Sequence, residues 1–273
     1  MNNMKQANAP IGIFDSGIGG LTVAKAVKDA LPKEQIVYFG DTAHLPYGDK
    51  SAAAIQAYSI KIADVFLQKG CKVILIACNS ASSVAFELLQ EYTGSRAEVI
   101  NVIDPMVSYV AEKYQSGEVG LIGTKRTVIS NVYQDKISQF SPNVNLHSLA
   151  TPLLVPMIEE GFLDNKISKD ILENYLTDPM LIDIDCLILG CTHYPLVKDV
   201  IASYYEGAVE VLDSAERVAS DLADLLQREN LSNQSGEEEE DEFLISDFTN
   251  SFAQTAQMFF QNKITIKHYP LWD

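Results

Sequence analysis

The chain has few cysteines, little positive charge and no long apolar run. Its 273 residues include four cysteines, one tryptophan and 20 lysines and arginines against 37 acids, a net charge of −17. Four thiols in so long a chain do not make a disulfide framework, and none of Cys71, Cys78, Cys186 and Cys191 forms a C-x-x-C pair. Cys78, Cys191 and His193 are conceivable zinc ligands, but the close ligand pairs of structural zinc sites are missing and no metal is expected. The acidic excess argues against nucleic acid and against anionic membrane as partners. A small anionic substrate stays open, because a local site can be positive in a negative protein. No apolar run approaches a membrane span, and the polar start Met1–Pro10 has no signal-peptide core, so a cytoplasmic location is expected. A G-x-G-x-x-G fingerprint and a Walker lysine are also absent, which weakens a dinucleotide reading.

What is present is an alternation. Apolar runs of strand length (Ile11–Phe14, Ile36–Phe39, Val73–Ala77, Val99–Val102, Val119–Ile122, Val144–Ser148, Leu187–Leu189, Val209–Leu212) alternate with helical patterns. Those helices read as Leu21–Ala30, Ala52–Lys69, Ala81–Tyr92, Val128–Phe140 and Ile171–Leu176. Continuous apolar strands between helices predict parallel sheets covered on both faces, an α/β fold. Phe243–Ile245 and Ile264–Ile266 add late strands. Ser232–Glu242, with six consecutive acids from Glu237 to Glu242, reads as a mobile surface loop, since like charges repel.

The chain also echoes itself. Ile11-Gly12-Ile13-Phe14-Asp15-Ser16 resembles Val119-Gly120-Leu121-Ile122-Gly123-Thr124. Asp15 precedes Cys78 by 63 positions and Gly123 precedes Cys191 by 68. Each half reads strand, turn, crossover, strand, cysteine. Two related Rossmann-like or flavodoxin-like domains follow, with pseudo-two-fold symmetry and a site in the cleft between them. The expected division is 1–102 plus 211–273 for the first domain and 103–210 for the second.

A thiol at the carboxyl end of a buried parallel strand stands where open α/β sheets bind ligands. One such cysteine alone reads best as a small buried hydrophobe. Two at matching places, with polar neighbours Asn79, Ser80, Thr192 and His193, read as one site with a sulfur on each side. Cys71 and Cys186 lie at the other ends of their strands and read as structural. Asp15 ends a strand at the crevice and can orient an ammonium or serve as an acid–base group. Asp15-Ser16-Gly17-Ile18-Gly19-Gly20 opens a helix whose first amides can hold an anion. The loop Asp41–Gly48 offers Tyr47 and the Gly48 amide. His193, two residues past Cys191, can tune that thiol or pass a proton. From the residues alone, Glu159 reads equally as surface charge or as support for the site.

Taken in order, these motifs resemble the glutamate racemase family of cofactor-independent amino-acid racemases. The resemblance runs through Phe14–Gly20, Gly40-Asp41 with Pro46-Tyr47-Gly48, Ala77–Ala81, Gly123-Thr124, Pro156 with Glu159, Gly190–Leu196 and Asp213–Ala215. One departure is Ser80, where the family usually has threonine; the hydroxyl is kept. Aspartate racemases share the two-cysteine plan but not the Asp-Ser-Gly-Ile-Gly-Gly and Pro-Tyr-Gly elements. The resemblance implies interconversion of L- and D-glutamate for peptidoglycan, without pyridoxal phosphate or any other cofactor, in an enzyme that is often a homodimer. It implies that Cys191 takes the proton from L-glutamate and Cys78 from D-glutamate. Asp15 would assist Cys78, and His193, supported by Glu159, would assist Cys191. Asp15, Ser16, Tyr47, Gly48, Asn79, Ser80, Thr124, Thr192 and His193 would hold the substrate. Other readings are an aspartate or broad-specificity racemase, a two-lobed binding module, and a thiol oxidoreductase.

Overall fold

The computed structural model describes residues 7–233, 240–248, 250–260 and 264–273. In chain order the strands are β1 (Ile11–Asp15), β2 (Ile36–Gly40), β3 (Val73–Ile76), β4 (Glu98–Asn101), β5 (Gly117–Gly123), β6 (Val144–Ala150), β7 (Cys186–Gly190), β8 (Glu210–Leu212), β9 (Glu242–Ile245) and β10 (Ile266–His268). The helices are α1 (Gly20–Ala30), α2 (Ala52–Gln68), α3 (Asn79–Thr93), α4 (Ile103–Lys113), α5 (Lys125–Ser130), α6 (Val132–Phe140), α7 (Leu154–Glu159), α8 (Lys166–Leu176), α9 (Lys198–Tyr204), α10 (Ala215–Arg228) and α11 (Asn250–Phe260).

Two sheets result, one ordered β10-β9-β2-β1-β3-β4 and the other β6-β5-β7-β8. Every pairing in both is parallel. The central strands β1, β2, β3 and β7 are buried along their whole length. Helices cover both faces, so an unbroken apolar run is the pattern such a strand needs.

The two sheets share one plan, with β2-β1-β3-β4 matching β6-β5-β7-β8. The register makes the match residue by residue. Phe14 pairs with Ile76, and Cys78 lies two residues further on. Ile122 pairs with Leu189, and Cys191 lies two residues further on. Asp15 therefore corresponds to Gly123, Ser16 to Thr124 and Ser80 to His193. One apolar cluster joins the halves, from Ile13, Leu21, Ala24 and Leu75 through Val218 and Leu222 of α10 to Leu187 and Leu189.

Several expected boundaries move. The helix expected over Val128–Phe140 is two helices, because Asn131 takes a left-handed conformation (φ 62°) between them. Asparagine tolerates that region better than most residues do. The expected domain return at 211 falls inside β8, where Val211 and Leu212 pair with Leu187 and Ile188 of the second sheet. The second late strand lies at Ile266–His268 rather than at 264–266. Of the acidic stretch, residues 234–239 lie outside the described residues. Its end is ordered. Asp241 accepts hydrogen bonds from the Ile36 amide (2.9 Å) and Lys28 Nζ (3.0 Å), and Glu242 begins β9. Paired charge there outweighs like-charge repulsion.

A buried ion pair anchors the amino end of β3. Lys72 and Glu34 are 1% and 3% exposed. Lys72 Nζ bonds the Glu34 carboxylate and the Leu231 carbonyl (2.9 Å), and Glu34 accepts the Asn233 amide (2.8 Å). Burial lowers the Lys72 pKa, and Glu34 opposes that shift. Breaking such a pair strands a charge and costs about 3–5 kcal/mol, while replacing both partners with apolar groups of similar size is far milder. Glu34→Leu should therefore destabilise the fold in urea titration by about that amount, and adding Lys72→Met should recover most of it. An unchanged midpoint for Glu34→Leu would contradict this.

Candidate active site

Two strand ends from each sheet supply the site. In the first half, β1 ends at Asp15 and β3 leads to Cys78, the residue that caps α3. In the second, β5 leads to Thr124, the cap of α5, and β7 leads to Cys191. A buried strand running into a helix leaves its last residues at the sheet's carboxyl edge, with the first helical amides facing them.

Hydrogen bonds cross from one wall to the other. Thr192 Oγ1 donates to Asp15 Oδ1 (3.1 Å). The Ser80 and Thr124 hydroxyls are 2.8 Å apart. Tyr133 OH donates to Asn79 Oδ1 (2.8 Å), and the Ile18 amide donates to Glu159 Oε1 (3.3 Å). Glycine permits the closest approach. A Cβ on Gly19 would lie 2.5 Å from His193 Nδ1 and 2.6 Å from Thr192 Oγ1. One on Gly48 would lie 2.6 Å from Thr124 Cβ. Ser16, Asn79, Ser80, Thr124, Thr192, His193 and both cysteines are buried, at 7% exposure or less.

The two thiols have different surroundings. Cys78 Sγ is 3.9 Å from Ser16 Oγ. Burial pushes its pKa well up, with further contributions from the charges of Asp15 and Cys191. The α3 amino end pulls the other way, through the Ala81 amide. A helix terminus is worth about 0.3–2 kcal/mol, which is too little to offset full desolvation. Burial and the Asp15 charge together favour the protonated form of Cys78. Cys191 Sγ lies 3.8 Å from His193 Nδ1, and His193 Nε2 lies 2.6 Å from Glu159 Oε1. Burial alone would lower His193. Its bonds to Cys191 and Glu159 outweigh that and hold it well above the usual imidazole range. The ring bridges a sulfur and a carboxylate. Asp15 is wholly buried, and burial raises its pKa. His193, the Gly17 amide (2.9 Å) and Thr192 resist that rise.

Tyr47 OH donates to Asp41 Oδ2 (2.6 Å), and burial together with the charges of Asp41, Cys78 and Asp15 pushes its pKa well up. The tight turn Tyr47–Asp49 abuts Thr124 through Gly48. Glu159, the last residue of α7, is placed against His193. Asn79 Nδ2 is buried with no partner among the described residues. Such a donor costs about 1–3 kcal/mol until a ligand accepts from it. Cys71 and Cys186 are buried, and burial pushes Cys71 up to about 12 and Cys186 up to about 11. Among the described residues no three His, Cys, Asp or Glu side chains gather as metal ligands, and no helix is long and apolar enough to cross a membrane.

Three site-shaping residues went unrecognised in the sequence. Tyr133 positions Asn79. Tyr38 OH donates to the Gly17 carbonyl (2.9 Å), fixing the glycine turn. Thr22 Oγ1 bonds the carbonyls of Gly19 (2.8 Å) and Thr192 (3.4 Å). The one available signal was a buried tyrosine in the β2 run, whose hydroxyl must find a partner.

Comparison with known proteins agrees with the geometry. The family model described as Asp/Glu/Hydantoin racemase matches residues 21–222. A glutamate racemase of Chlorobaculum tepidum is 40% identical over 253 residues, 93% of each chain. One from Geobacter metallireducens is 39% identical over 254 residues, again 93% of each. The crystal structure of the Francisella tularensis glutamate racemase in complex with D-glutamate superposes with a TM-score of 0.90 at 37% identity, covering 97% of this chain and 99% of that one. Two register-equivalent cysteines at strand ends, and relatives of this closeness over nearly the whole length, place the chain in the Asp/Glu/hydantoin racemase family, among the glutamate racemases.

Proposed function

We propose that this chain interconverts L- and D-glutamate by proton transfer at Cα between Cys191 and Cys78, and that it supplies D-glutamate for peptidoglycan. The observation that carries the reading is the register equivalence of the two cysteines, one on each wall of the cleft. Inverting a carbon centre by proton transfer needs a base on one face and an acid on the other.

One sulfur starts as thiolate and the other as thiol. With L-glutamate, Cys191 takes the Cα proton, and the C–H electron pair stays on Cα, spread into the carboxylate. Cys78 then gives its proton to the opposite face and keeps the S–H pair as thiolate. D-glutamate departs from a site whose thiol and thiolate have exchanged, and the reverse turnover starts at Cys78. His193 Nδ1 stands 3.8 Å from the Cys191 sulfur, placed to exchange a proton with it. Asp15 and burial keep Cys78 protonated until it is needed. Asn79 Nδ2, the hydroxyls of Ser16, Ser80, Thr124 and Thr192, and the Gly48 backbone are the groups that would hold carboxylates and ammonium. Donors fixed on a carboxylate that accumulates charge contribute about 2.7–4 kcal/mol each in a dry site.

Purified protein should remove the circular dichroism of L-glutamate without added cofactor and restore growth of a bacterium that requires D-glutamate. Aspartate should react far more slowly, and comparable rates on both would favour the broad-specificity reading. Cys78→Ala and Cys191→Ala should each abolish racemisation. Full activity in either variant would refute the opposed thiols.

The close approach of Gly19 to His193 supports a second test. Gly19→Ala leaves an ordinary helical backbone (φ −59°) but drives a methyl into the His193 ring. A misplacement of about 1 Å costs about 100-fold. We expect a loss of that order in kcat/KM and a lower melting temperature, since the methyl would also lie 2.7 Å from the His193 backbone nitrogen and overpacking costs about 1–3 kcal/mol. Because enantiomers have an equilibrium constant of one, kcat/KM must fall equally from both sides. Parental activity in this variant would contradict the placement of His193.

A further inference from the structure

We propose that Trp272, at the end of the chain, is a positioning residue for the substrate-facing turn Tyr47–Gly48, acting through Asp41. The proposal rests on the racemase reading above and assigns a role to a residue outside the cleft.

Asp41 follows β2 and is wholly buried. A carboxylate has about four lone-pair sites, and four side chains fill those of Asp41. Oδ1 accepts from Trp272 Nε1 (2.7 Å) and Ser246 Oγ (2.7 Å). Oδ2 accepts from Tyr47 OH (2.6 Å) and faces His44 Nδ1 (3.0 Å). Two of these donors, His44 and Tyr47, belong to the loop itself. Ser246 follows β9, and the indole comes from the chain's end. With all four present the carboxylate has one orientation. His44 Nδ1 also reaches Oδ1, at 3.2 Å, but without the indole Oδ1 loses one of its two 2.7 Å donors, and the carboxyl group can turn and take Tyr47 with it.

The indole is placed for this task by more than one contact. Its ring meets His44 edge-on (centroids 4.5 Å) and Tyr58 edge-on (5.3 Å), while His44 and Tyr58 stack at 4.0 Å. Lys61 Nζ lies over the indole, 4.9 Å from its centroid. The tail reaches this position because the Tyr269 amide bonds the Ile245 carbonyl (2.8 Å), extending the β9–β10 edge. On its far side the turn meets the second half of the molecule. Gly48 abuts Thr124, Lys125 Nζ pairs with Asp49 (3.1 Å), and Arg126 bonds the Lys50 carbonyl (2.9 Å). The turn is thus clamped between the tail and α5.

This segment holds substrate and does not move the proton. Loosening it weakens ground state and transition state alike, which raises KM and leaves kcat nearly unchanged. Trp272→Phe keeps the aromatic packing and removes the N–H. We expect it to raise KM for glutamate by about 10-fold from either enantiomer, with kcat within about 3-fold of the parent. Tyr47→Phe breaks the same chain at its other end. If the indole acts through Asp41 on Tyr47, the double variant should have the KM of Tyr47→Phe alone, since coupled sites are not additive.

The steady-state assay on the parent protein comes first, and no activity there would fail the racemase reading instead. With an active parent, an unchanged KM for Trp272→Phe, or independent effects that multiply in the double variant, would overturn the proposal. Failure of Trp272→Phe to fold would overturn it too, by making the indole a folding residue.

Discussion

A fully buried carboxylate, Asp15, ties the two walls of the cleft together. It accepts from Gly17 on its own side and from Thr192 on the other. Its charge reaches the thiol of Cys78 and the ring of His193. Moving it out of water is expensive, and the cost is offset only while both walls stay close. The glycine turn beside it and the thiol of Cys78 both feel this one group.

The fold brings equivalent backbone to the two walls, and the side chains then break the equivalence. Asp15 faces the site where its counterpart, Gly123, has no side chain. His193 stands where the first half has Ser80. The sulfurs keep matching positions while their partners differ. That suits a pair of mirror-image substrates handled by a site built from L-residues. Equal kcat/KM in both directions is imposed by thermodynamics, so unequal partners shift only how the barrier is divided between binding and chemistry.

Much of this was legible in the sequence because it is local. The apolar runs announced the strands, and the matching Ala-Cys and Gly-Cys ends announced the register. Contacts that depend on distant pairing were not legible. Asp41 gathers donors from a loop, from Ser246 after β9 and from Trp272 at the tail, and no spacing rule links them. Nor does the loop's own sequence show that the Tyr47 hydroxyl donates to Asp41. Asn131 split a helix that periodicity ran together, since the apolar pattern continues across the break. The acid run read as repulsion until Lys28 and the Ile36 amide supplied partners for Asp241.

The central claim is that two sulfurs, each from its own wall, share one proton transfer. Racemisation of L-glutamate in deuterium oxide, stopped at low conversion, tests it most directly. Two bases predict that the D-glutamate formed carries deuterium at Cα while the remaining L-glutamate keeps protium, because the proton removed by one thiolate is not the one returned by the other thiol. D-glutamate that retains the original protium would mean a single base serving both faces, and would contradict the account.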